Sequence, residues 1–98
     1  GNISLGTAGN GLSVKSGPNA RIGQNTLTAG TVSIANTSVT ANTRIFLTRA
    51  SKNSGAAIGS LEAVISAGVG FTINSYAAGA TIETGDISIV DWFLVESA

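Results

Sequence analysis

Apolar residues return at every second position in several short runs of this chain, and glycine or asparagine interrupts the runs. A period of two belongs to β-strands, whose successive side chains leave on opposite faces. In GTVSIANTSVTAN, Val32 and Ile34 share one side, with Thr31 and Ser33 on the other. In TRIFLTRAS, Ile45 and Leu47 oppose Arg44, Phe46 and Thr48. SLEAVISA and VGFTINS predict two further strands around Gly68 and Gly70. A helix over Leu61 to Ala67 is disfavoured, because β-branched Val64 and Ile65 and the nearby glycines prefer a strand. Near the start, Ile3-Ser4-Leu5 and Leu12-Ser13-Val14-Lys15 flank GTAGNG. That arrangement predicts a hairpin or a rung-to-rung turn, since Asn10-Gly11 tolerates positive φ. GPNARIG, with the only proline at Pro18, predicts another break, and SKNSGAAIG and SYAAGATIETGD are the two long loops. Seven or so strands at this spacing predict an all-β domain, a sandwich or a small barrel, with a small antiparallel β-sandwich of jelly-roll type as the leading expectation.

The closing run DISIVDWFLVESA departs from a simple alternation. One face carries Ile87, Ile89, Asp91, Phe93 and Val95; the other carries Ser88, Val90, Trp92, Leu94 and Glu96. A strand with one wet face is apolar on one side only. Here both sides need cover, because leaving such side chains in water forfeits about 1.5–3 kcal/mol each. Either the chain covers both faces itself, or the second face meets a copy of the same chain. Sparse surface charge favours the copy. On that reading Phe93 belongs to the sandwich core, while Val90, Trp92, Leu94 and Phe46 form an intersubunit face. Asp91 interrupts the core face and requires a partner as a buried carboxylate. Arg44 and Arg49 are the candidates, and an Asp91–Arg44 ion pair is the expectation.

A length of 98 residues suits one domain. The first 21 residues are rich in Gly and Asn with little apolar mass, and read as a stalk or docking segment ahead of a sandwich over 22–98. The absence of an initiating Met is expected of a fragment, a processed product or the tail of a longer chain. Five basic residues balance five acidic ones, which removes the electrostatic case for nucleic acid or anionic membrane. Zero net charge with positive mean hydropathy suits a domain that lives inside an assembly. Cysteine, histidine and methionine are absent, so neither a disulfide framework nor a zinc site is expected. No apolar run is long enough for a transmembrane helix.

Catalytic chemistry finds little support. A serine or threonine nucleophile wants a base, usually histidine, and there is none. Lys15 and Lys52 sit in no motif. Paired carboxylates hydrolyse glycosides, but Glu83 and Asp86 lie three apart in a loop, and Asp91 and Glu96 fall on opposite faces. The expectation is a non-enzymatic domain without cofactor or metal. Asn2-Ile3-Ser4 and Asn36-Thr37-Ser38 are formal glycosylation sequons. Loops on a rigid scaffold carry recognition, which makes Lys52, Asn53, Tyr76 and Glu83 the candidate contacts, with Tyr76 able to stack on a sugar ring.

The runs TLTAGTVSIANTSVTANTRIFLTRAS, SLEAVISAGVGFTINS and DISIVDWFLVESA together resemble a C-terminal module of tailed-phage and prophage tail fibre and tailspike proteins. The module also occurs in minor structural and head-decoration proteins, and GLSVKSGPNARIG is similar to the segment that often precedes it. This chain departs from the usual R-T-A-G-T-S-F at Ile65 to Phe71, and from the usual E-P-A at its end. The resemblance implies a virion protein: a homotrimeric distal domain that holds three chains in register and presents loops to a host-surface glycan or protein. The alternative it implies is a capsid decoration protein or head fibre. Its partners would be its own copies and other virion proteins.

Overall fold

The computed structural model describes residues 1–97 and is all-β among them. Six strands follow in order: β1 (Ile22–Thr26), β2 (Thr31–Ala35), β3 (Thr43–Ser51), β4 (Ser60–Ser66), β5 (Gly70–Tyr76) and β6 (Ile89–Glu96). They form two three-stranded sheets, β1-β6-β3 and β2-β5-β4, and every pairing is antiparallel. The sandwich expected from the alternation is therefore present. Its inner layer comes from Val90, Trp92 and Leu94 of the first sheet and Phe71 and Ile73 of the second. Leu27 and Val39, from loops, close the core.

Trp92 decides which face of β6 looks inward. Its backbone lies opposite Gly23 on β1 and Leu47 on β3. A Cβ on Gly23 would come within 2.2 Å of the indole ring, so only glycine leaves the ring its place. The indole Nε1–H donates to Asn25 Oδ1 at 2.8 Å, two residues along on the same inward side of β1. Phe71 meets the ring edge-on across the sandwich, with centroids 5.1 Å apart and planes at 77°, a preferred aromatic geometry.

This reverses the expected sides of β6. Val90, Trp92 and Leu94, expected at an intersubunit face, are buried in their own subunit. Phe93, expected in the core, is half-buried on the outer face of the first sheet beside the exposed Phe46. Alternation alone gives two sides and does not say which is inside when both are apolar; the gap at Gly23 and the acceptor on Asn25 settle it.

The N-terminal hairpin is absent. Residues 1–20 contain no strand; they run without regular structure, with two turns closed by Asn10 N–H to the Thr7 carbonyl (3.1 Å) and Ala20 N–H to the Gly17 carbonyl (3.2 Å). Ile3, Leu5 and Leu12 stay exposed. An isolated two-stranded hairpin is marginal without a surface to pack on; its loss removes two of the seven or so expected strands, and β1, which the alternation did not mark, brings the number to six.

Trp92→Ala should cost about 3–5 kcal/mol of folding stability through loss of a buried aromatic and the cavity left behind. Gly23→Val should prevent the fold altogether, because backbone and indole compete for one volume. Phe46→Ala should change the stability of the isolated subunit by less than about 0.5 kcal/mol. Urea unfolding at concentrations too low for association measures all three.

Candidate functional site

One carboxylate organises the loops at one end of the sandwich. Asp86 is fully buried in the β5–β6 loop. Its Oδ2 accepts from Ser75 Oγ on β5 (2.5 Å), Arg49 Nη2 on β3 (3.0 Å) and Gly59 N–H before β4 (3.1 Å). Its Oδ1 accepts the backbone N–H of Ser88 at 3.0 Å and the Ser88 hydroxyl. Arg49 extends the network to Ser88 Oγ (2.9 Å) and the Gly59 carbonyl (2.8 Å). Burial by itself would raise the Asp86 pKa, but the hydrogen bonds from Ser75, Ser88 and the Gly59 N–H outweigh it and hold the carboxyl far below the ordinary value of 3.8. Gly59 has no room for a side chain, since a Cβ there would meet Ser75 Oγ at 2.4 Å.

Ser75 and Ser88 are fully buried and face a carboxylate rather than a base. Their arrangement suits anchoring rather than nucleophilic attack. The anchor ties both sheets to both long loops and holds those loops side by side. Asn53 Nδ2 of the β3–β4 loop donates to the Ile87 carbonyl at 3.1 Å. The buried ion pair is thus Arg49–Asp86. Asp91 and Arg44, expected to pair inside, are both exposed on the outer face of the first sheet. Arg44 stands opposite Val95, four residues along β6 from Asp91, or about 13 Å. Asp91 instead takes a hydrogen bond from Gln24 Nε2 at 2.8 Å.

That outer face is the second feature. Ile22, Phe93 and Phe46 lie in one row across β1, β6 and β3. Phe46 is 59% exposed, and Ile22 and Val95 stand partly in solvent with it. Val14, from the N-terminal stretch, borders the row and helps shape an open groove of about 640 Å³ over it. Of the four residues expected at an intersubunit face, Phe46 alone is there.

The remaining candidates are divided. Lys52 and Asn53 are exposed in the β3–β4 loop, and Glu83 is half-buried, accepting from Gly85 N–H at 3.2 Å. Tyr76 ends β5 on the outer side of the second sheet, where its hydroxyl accepts from Asn74 Nδ2 at 3.2 Å. Asn36 cannot serve as a glycan acceptor, because it is buried and its amide is committed to the Ala20 carbonyl (2.6 Å) and to Ser38. At the opposite end, Glu96 gathers Thr43, Thr40 and Arg21, which lower its pKa in that order. Among the described residues no three His, Cys, Asp or Glu side chains gather where they could hold a metal. Asp86 was missed as an anchor by sequence reasoning. The Asp-x-Ser spacing at Asp86 and Ser88, which lets a side chain bond the backbone two residues on, was the available signal.

Fold and site together define a small antiparallel β-sandwich module with an internally anchored loop end and one uncovered apolar sheet face. The chain belongs to the family described as K1 capsule-specific polysaccharide lyase, C-terminal domain, which matches residues 19–95. This is a phage tailspike family, so the chain is a tailspike-type structural domain and by that membership a virion component. No curated protein and no solved structure matches the chain.

Asp86→Asn should destabilise the fold by about 3 kcal/mol at neutral pH by leaving Arg49 without its counter-charge. Because the folded-state pKa of Asp86 is depressed, its contribution is complete above the unfolded value near 3.8 and is lost as the pH falls below it towards the lower folded value. Denaturation followed from pH 6 down to pH 2 should show this fall in the native chain and a flatter profile in Asp86→Asn.

Proposed function

We propose that this domain is a non-catalytic, homotrimeric terminal module of a phage tailspike, which fixes three chains in register by burying the outer face of the β1-β6-β3 sheet. The apolar row of exposed Phe46, half-buried Phe93 and partly exposed Ile22 carries the reading. Contiguous exposed apolar surface marks an interaction site, and the sheet's sparse charge lets a copy approach without repulsion. Family membership supports a place at the C-terminal end of a tailspike chain. The family description names a polysaccharide lyase, but it names this part as a C-terminal domain. Four of the five carboxylates are already engaged, which supports the non-catalytic reading: Asp86 is sealed in its network, Glu96 is occupied by threonines and arginine, Asp91 is held by Gln24, and Glu83 accepts from Gly85. The loops aligned by Asp86 present Lys52 and Asn53 to solvent, where a host-surface glycan or protein could be met.

Light scattering should give three times the 9.7 kDa chain mass at micromolar concentration. Phe46→Ser should lower the melting temperature increasingly on dilution, since association is linked to stability by mass action. Incubation with capsular polysaccharide should release no new chain ends. A chain that stays monomeric, or one that cleaves the polysaccharide, would refute the reading.

A further inference from the structure

The apolar row on the outer face of the first sheet has one cation on one side of it and one anion on the other. Arg44 stands in the row towards Val95, and Asp91 in the row with Thr48 and Gln24. Both are exposed. Among the described residues the salt bridges are Arg21–Glu96 and Arg49–Asp86, so neither Arg44 nor Asp91 has an opposite charge of its own. Within one chain they cannot meet, because about 13 Å of strand separates their rows and the Phe46–Phe93 pair fills the row between. Lys15 is exposed between Val14 and Ser16, two residues that line the groove.

We propose that Arg44 of one copy pairs with Asp91 of a second copy across this face. The proposal rests on the homotrimer reading above and names the contact that sets its register. A face with an apolar centre and opposite charges on its two sides complements copies of itself rotated about an axis that runs along the apolar row. The apolar rows then converge on that axis, and the cation of one chain meets the anion of the next. Head-to-tail contacts of this kind generate closed rings when the rotation closes. A guanidinium and a carboxylate meeting inside such an interface form a charge-assisted pair that selects one docking register, since other registers place like charges together or leave a charge unpaired. Two of the chain's few charges would then have their use in specificity rather than in folding.

The test is a charge swap in the full 98-residue chain. Arg44→Asp and Asp91→Arg are made singly and together, and association is read by sedimentation over a range of concentrations. Each single variant should raise the dissociation constant at least about tenfold, because it sets like charges against each other in every interface. The double variant should return to near the native value. Far-UV circular dichroism separates loss of association from loss of folding, and both sites are exposed, so folding should persist. Single variants that associate as the native chain does would overturn the proposal. Single variants that dissociate without recovery in the double would also overturn it, by showing that the two residues do not face each other. A native chain that is monomeric at every concentration would instead remove the homotrimer reading, and this contact with it.

Discussion

The seat of Trp92 over Gly23 fixes the rest of this domain. One glycine on β1 leaves a gap, the indole fills it, Asn25 satisfies the ring N–H, and Phe71 closes against the ring from the other sheet. A strand has two sides, and placing one side chain places all of them. With Trp92 inside, Val90 and Leu94 follow it into the core, and Ile89, Asp91, Phe93 and Val95 turn outward. The uncovered apolar row is thus a consequence of where the largest residue found room.

The second constraint is polar. A 98-residue sandwich has little core to spare, and two of its loops are long. Asp86 gives those loops a fixed end by collecting donors from β3, β5, the β3–β4 loop and its own turn. A buried carboxylate is tolerated only when its acceptor sites are filled, and no buried side-chain polar atom among the described residues is left without a partner. Glu96 plays a related part at the other end, tying the last strand to Thr40, Thr43 and Arg21. Two carboxylates therefore brace the two ends.

Economy of charge gives the outer faces their character. Four of the ten charged residues are consumed in the two intramolecular ion pairs. The outer face of the first sheet is left with Arg44 and Asp91 around an apolar row, which suits a surface made to be covered. The outer face of the second sheet is different: Ser33 and Thr72 share a hydrogen bond, and Thr31 bonds Asn74 beside Tyr76. It is a hydroxyl-rich face that water can cover. The two outer faces thus differ, one apolar with two charges beside it and the other rich in hydroxyl groups.

Much of this was legible in the residues alone. The period-two recurrence of apolar residues in TRIFLTRAS, SLEAVISA and VGFTINS marked β3, β4 and β5, although Phe46 and Val64 break the alternation. The all-β class followed from the same pattern, and the doubly apolar last strand announced a surface needing cover. Tertiary structure alone decided which side of that strand was covered by its own chain. Trp92 and Phe93 are neighbours of similar size, and only the space above Gly23, brought alongside from 69 residues away, tells them apart. The same holds for the buried ion pair. Asp91 lies in an apolar run and Asp86 in a loop, yet long-range pairing buries the loop aspartate against Arg49 and leaves the strand aspartate in solvent. Local pattern determines period and therefore secondary structure; burial depends on what distant residues bring to the same place.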